Sequence, residues 1–438
     1  MVNSKCIFDC HSTANQIIQL MKHQYKPLML LSLMFFMVGA LFCMNDILLP
    51  SLITHFKLNY TQATMIQFTF YLTYIIFPIP IAWMIHRFGY KISLLVAIIT
   101  CSLGAAFFWP AKIFDSYPLV LLAIFIISTG LTIINVAANP FASMLGDPEG
   151  AHQRINFVQV FSRIGYAVTP AIATALIYNQ LGEIRFHFPY LLLAGILLLI
   201  ALLMGVSHLP AMKPAIEDRF TLKGIIREGY SHKHLFYGLF AMFFYMGAEA
   251  CTCGFFIPYL KTVLGFTDDK AASYLTIYYI LTAVMGILGV VMLKYVNAHK
   301  LLGIFGVGMV VLFVLIIVYN SGYNQFLMAG LGLFLSIMFP TIFSLAIEEI
   351  GSFTGKGSAL LNFALIGGSV FPPLQGMIAD QHGVRISYII PMICIVMVTI
   401  YAFFFTRLPL LKRNGVAGKG NRLLGIRLIG CRNLGIRN

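Results

Sequence analysis

Run after run of this chain is apolar for long enough to cross a lipid bilayer, which takes ~20 residues in a helix. The runs fall at about 27–53, 63–85, 92–111, 117–145, 156–180 and 188–208, and then, past a polar break, at 234–264, 272–293, 301–320, 324–348, 358–379 and 387–406. Lipid offers no hydrogen bonds to an open backbone, so the spans are predicted to be helical. The ~10-residue alternating segments of a membrane barrel do not occur. Charge agrees: 10% of the residues are charged and 59% hydrophobic, whereas a soluble domain carries roughly 25% charged residues. So few charges cannot clothe a water-soluble protein of this length.

Orientation follows from the basic residues. With both termini cytoplasmic, that side receives Lys22 and Lys26, Arg87 and Lys91, Arg154, the linker residues Lys213, Arg219, Lys223, Arg227 and Lys233, and the tail from Arg407 on. The other side keeps only Lys57, Lys112, Arg185, Lys261, Lys270 and Arg385. The net charge of +14 is therefore a topological signal that also suits anionic lipid headgroups, and no nucleic-acid partner is expected. The expected organisation is a cytoplasmic N-terminal segment 1–26, a six-helix bundle 27–208, a cytoplasmic linker 209–233, a second six-helix bundle 234–406 and a basic, disordered tail 407–438. The first apolar run reaches Asn45-Asp46 without a small-residue cleavage site, so no cleaved signal is expected. Cys6, Cys10 and His11 have a loose ligand-like spacing in the N-terminal segment, but no metal is assigned to them.

The two halves repeat. Gly130-Leu131 precedes Pro140 in the fourth span as Gly330-Leu331 precedes Pro340 in the tenth, and Ile164-Gly165 precedes Pro170 in the fifth as Ile366-Gly367 precedes Pro372 in the eleventh. Between spans two and three stands Ala82-Trp-Met-Ile-His86-Arg87-Phe88-Gly89-Tyr90-Lys91. It resembles the cytoplasmic loop signature of the major facilitator superfamily, with Arg87, Gly89 and Lys91 kept, Ala82 in place of the usual Gly and His86 in place of the usual Asp. Parallel repeats with a midplane site between them are that superfamily's architecture. The fold class expected is therefore all-α integral membrane, with about twelve transmembrane helices in two pseudo-symmetric six-helix bundles.

Polar groups inside the bilayer are costly and mark function. Asp46 lies in the first span, Arg163 in the fifth and Glu249 in the seventh. Asn135 and Asn139 share a face of the fourth span, Asn156, Gln159 and Arg163 a face of the fifth, and Tyr245 and Glu249 are stacked one turn apart. Asn362 adds an amide in the eleventh. Amides, carboxylates and an aromatic face suit a sugar, whose hydroxyls need donors and acceptors together. No nucleophile–base pair, metal cluster or phosphate loop speaks for an enzyme. Arg163 and Asn135 lie at similar depths, and contact between them is expected.

Met44-Asn45-Asp46-Ile47-Leu48-Leu49-Pro50 resembles the first-helix motif of the bacterial fucose permease family. Phe77-Pro78-Ile79-Pro80, Gly104-Ala-Ala-Phe-Phe-Trp109-Pro110, Ala137-Ala138-Asn139-Pro140-Phe141 and Phe339-Pro340-Thr341-Ile342-Phe343 continue the likeness over about residues 28–406. Tyr245-Met246-Gly247-Ala248-Glu249 is similar to the seventh-helix motif of the related glucose/galactose transporters. The resemblance implies monosaccharide import by proton symport with alternating access, sodium coupling or uncoupled facilitation being the alternatives. A drug or amphiphile exporter and a transport-dead sensor are other classes on the same fold. It also implies a bacterial inner-membrane protein that works as a monomer, without a cofactor, on a small-molecule sugar.

Asp46 matches the family's essential aspartate and Gln159 its sugar-contacting glutamine. The family's fourth-helix carboxylate is replaced by Asn135, which cannot take up a proton, and the next fifth-helix amide is replaced by Ser162, beside Arg163. Proton coupling is thus expected of Asp46 and Glu249, with Arg163 setting a carboxylate's charge state. Asn135, Asn139, Gln159, Tyr245 and Asn362 are the expected substrate-binding set.

Overall fold

The computed structural model describes residues 4–145, 151–177, 185–207, 233–319, 322–348 and 354–405, with side chains from Pro27 onward. The linker and the basic tail lie outside these residues. Among the described residues, ten helices are individually long and apolar enough to cross a membrane. The second span, broken at Phe77 into Met65–Ile76 and a piece starting at Pro78, and the fifth, Ala151–Ile177, complete the twelve. The fifth carries Asn156, Gln159 and Arg163.

The first helix runs from Ser4 to Phe56. Residues 4–26, read from sequence as a separate N-terminal segment, continue it, since they contain no Gly or Pro to stop a helix. The second span ends at Gly89, whose φ of 80° and ψ of 173° break the helix between Pro78 and Ala106; an L side chain is strained there. Two residues on, the Lys91 ammonium donates to the Ser207 carbonyl at 2.7 Å. Ser207 caps the sixth helix, His187–Val206, so a cation neutralises the negative end of that helix.

The duplication read from sequence has a packing counterpart. A Cβ on Gly165 of the fifth span would fall 2.2 Å from the Phe36 carbonyl of the first, and one on Gly367 of the eleventh would fall 1.8 Å from the Phe243 carbonyl of the seventh. Equivalent helices thus cross at backbone contact in both halves, as small residues allow in lipid. Gly367→Val meets backbone, which cannot rotate away, so its cost exceeds the ~1–3 kcal/mol of ordinary overpacking. The expected result is loss of the monodisperse detergent-solubilised fraction, read by size-exclusion chromatography.

The halves meet where the fifth span lies along the eighth (Asp268–Tyr295) and the second along the eleventh. Tyr166 and Tyr279 rings stand 5.2 Å apart across the first of these seams. At the face distal to the chain termini, Asp380 of the eleventh span accepts from the Tyr60 N–H at 2.7 Å, the Thr61 N–H at 2.9 Å and the Thr61 hydroxyl at 2.6 Å. The short helix Tyr60–Ala63, set by the Asn59–Gln62 capping box, presents these donors. The distal face is shut by this contact.

Candidate functional site

The site is built along the seam between the halves. In the first span Asp46 is half-buried, and its Oδ2 accepts the Tyr279 hydroxyl of the eighth span at 2.9 Å. One polar contact therefore ties the first half to the second. Pro50, four residues on, has no N–H to give the Asp46 carbonyl, which loosens the helix locally.

In the seventh span, Lys233–Gly254, Tyr245 and Glu249 stand one turn apart, and the Glu249 carboxylate interacts electrostatically with Tyr245 and, from the other half, with Arg163. Asp46 and Glu249 are also within electrostatic range of each other. Room for the guanidinium is left by Gly286 of the eighth span, where a Cβ would fall 2.0 Å from Arg163 Nη1. Of the three ionisable residues picked from three separate spans, Glu249 is thus within electrostatic range of both Asp46 and Arg163.

The amides divide differently from the expectation. Gln159 Nε2 donates to Asn139 Oδ1 at 3.2 Å, joining the fourth and fifth spans. Asn135 Nδ2 donates to the Tyr74 hydroxyl at 3.0 Å and to the Leu131 carbonyl at 3.1 Å. Asn135 is turned to the second span and Arg163 to the eighth, so the expected pairing of the two is replaced by separate contacts. Depth along a helix does not fix the direction a side chain takes. Asn362 is half-buried at the end of Thr354–Phe363, just before a 3₁₀ turn at Ala364–Ile366, and makes no side-chain hydrogen bond to a described residue.

Arg87, Gly89 and Lys91 stand apart from this cavity at the proximal face. The Arg87 guanidinium lies 5.7 Å from the Trp83 and Phe88 ring centres, and Lys91 caps the sixth helix. Sequence reasoning missed Tyr74 and Tyr279, the phenols that bind Asn135 and Asp46. The only signal was a tyrosine in an apolar run, and most such tyrosines simply pack. Among the described residues no three His, Cys, Asp or Glu side chains gather as a metal site.

Two six-helix halves meeting along a seam that carries half-buried polar and ionisable side chains define a multi-pass membrane transporter, and the comparisons with known proteins agree. The Major Facilitator Superfamily profile matches residues 30–365 and 238–433. The chain is 34% identical to a glucose/galactose transporter of Brucella abortus over 386 residues, covering 85% of this chain and 92% of that one. It is 30% identical to the L-fucose-proton symporter of Escherichia coli over 407 residues, covering 86% and 92%. The crystal structure of the E. coli fucose:proton symporter in the outward conformation superposes with a TM-score of 0.66 at 28% identity, over 87% of this chain and 99% of that one. The chain belongs to the major facilitator superfamily.

Proposed function

We propose that this protein imports a hexose, of the L-fucose, galactose or glucose kind, by proton symport with alternating access. The observation that carries the reading is the Asp46–Tyr279 bond at 2.9 Å: a titratable carboxylate of one half held by the other, and within electrostatic range of Glu249. An ionised carboxylate accepts a stronger hydrogen bond than a neutral acid. The proton state of Asp46 therefore sets the strength of a contact that joins the two halves, which links protonation to how the halves sit against each other. Asn135 stands where the family has a carboxylate, so Asp46 and Glu249 carry the titration, with Arg163 acting on Glu249. Asn139, Gln159, Asn135, Tyr245 and Asn362 offer the donors and acceptors for hydroxyls. The names of the two relatives, a glucose/galactose transporter and a fucose symporter, support a hexose. The basic residues support an inner-membrane protein with both termini in the cytoplasm.

The test is uptake of labelled L-fucose, galactose and glucose into proteoliposomes under an imposed proton or sodium gradient. Proton-driven accumulation of one of these sugars is expected. Accumulation driven by sodium alone would replace the proton in this scheme, and no uptake of any hexose would remove the sugar. Glu249→Gln, which keeps a partner for Tyr245 but cannot titrate, is expected to lower proton-driven accumulation while leaving sugar exchange in place, measured in the same vesicles.

A further inference from the structure

The second span carries polar groups that the central cavity does not use. Gln67 is 1% exposed, and neither Oε1 nor Nε2 finds a hydrogen-bond partner within the protein. Asn45 is 5% exposed, and its Oδ1 is likewise unpartnered. Phe42 of the first span and Phe70 of the second meet edge-on at 4.9 Å. The two helices run antiparallel, so three residues further toward the distal face on each brings Asn45 level with Gln67. Two acceptors and one donor therefore share one level, each a group that folding penalises when it is buried without a partner.

The cover over Gln67 comes from the other half. A Cβ on Gly254 of the seventh span would fall 2.7 Å from Gln67 Nε2, and one on Gly368 of the eleventh would fall 2.6 Å from the Tyr71 ring. Gln67, Tyr71 and Tyr74 lie at i, i+4 and i+7, one face of the second span. Tyr71 is within electrostatic range of Asp46 and Glu249, and Tyr74 holds Asn135. The stripe thus runs from the distal closure to the cavity. When the halves part at that face, glycines of the second half lift away, and amide and phenol groups of the first half line the way in.

We propose that Gln67, with Asn45, forms a second sugar subsite: a hydroxyl-binding station in the distal vestibule that engages a hexose before it reaches the Asp46–Glu249 cavity. An amide suits a sugar hydroxyl because it both donates and accepts. A buried unpaired amide disfavours the closed distal face, and the empty carrier is biased toward the state that captures sugar. The proposal rests on the hexose reading above and adds a side: Gln67 acts on sugar arriving from the distal face only.

The test measures zero-trans hexose influx, with ion gradients collapsed, in right-side-out and everted vesicles holding the full chain. Gln67→Leu, similar in size and free of polar atoms, removes the station without opening a cavity, and Gln67→Asn keeps an amide as a milder variant. The expected result is a KM raised about tenfold from the distal face for Gln67→Leu, less for Gln67→Asn, with KM from the proximal face not raised, since losing the unpaired amide also moves the empty carrier toward the proximal-open state. For one monodeoxy-hexose, the sugar lacking the hydroxyl that Gln67 reads, wild type and Gln67→Leu are expected to share one KM. An unchanged KM at both faces, an equal rise at both, or a deoxy series with no such member overturns the proposal while leaving hexose transport standing. A wild-type protein that moves no hexose overturns the hexose reading, and this subsite with it.

Discussion

Asp46→Asn is expected to abolish uphill sugar accumulation in proteoliposomes while sparing equilibrium exchange. The amide has the size of the carboxylate and still accepts the Tyr279 hydroxyl, so the interhalf contact seen at 2.9 Å survives. What it loses is the proton. An inward gradient of one pH unit is worth about 1.4 kcal/mol, or roughly tenfold accumulation with one proton per sugar. The wild type should reach that ratio, and the variant should stop at equilibrium whatever the gradient. Exchange asks only that the loaded carrier cross, so it should proceed at a similar rate. Full accumulation by Asp46→Asn would move the coupling to Glu249 alone, and loss of exchange as well would make Asp46 a sugar ligand rather than a proton carrier.

A comparably large effect is expected at the distal closure. Asp380 gathers two backbone N–H groups and one hydroxyl from the turn at Tyr60–Thr61, and each of these bonds joins one half to the other. Gly376, one turn earlier, lets the eleventh span approach so closely that a Cβ would fall 2.9 Å from the Tyr60 carbonyl. Hydrogen bonds to a charged group are the stronger kind, but Asp380 is exposed, and water and salt screen it. Together the three bonds are worth ~1–2 kcal/mol at such a site, so Asp380→Ala should shift the balance toward an open distal face about tenfold. Spin labels at Lys57 and His382, exposed on the two sides of the closure, read this directly in a variant free of native cysteines. The population at long distance is expected to rise, with Asp380→Asn intermediate. An unchanged distance distribution would mean that apolar packing alone holds the face shut.

Helix number, the duplication and the loop at Gly89 were legible without a structure because each rests on a local rule. An apolar run must be helical in lipid, and a turn with φ of 80° calls for glycine. Helical spacing placed Asn139 on a polar face of the fourth span and Gln159 on one of the fifth, and the structure joins these two by a hydrogen bond. The same rule could not say that Asn135 turns to Tyr74 while Arg163 turns to Gly286. Which neighbour a side chain meets depends on how the helices are rotated and crossed, and nothing in the local sequence encodes that.

The sequence by itself determined that this protein lives in a bilayer, that it is two copies of one six-helix plan, and that Asp46, Arg163 and Glu249 are the charges placed at depth. Only the tertiary structure decided that Glu249 comes within electrostatic range of both Asp46 and Arg163, that Tyr279 of the second half holds Asp46 of the first, and that Asp380 bonds the turn at Tyr60–Thr61 across the distal face. The physical reason is range. Insertion into lipid is settled one span at a time by hydropathy, whereas a contact between halves joins residues far apart in the chain and depends on how one six-helix bundle is seated against the other.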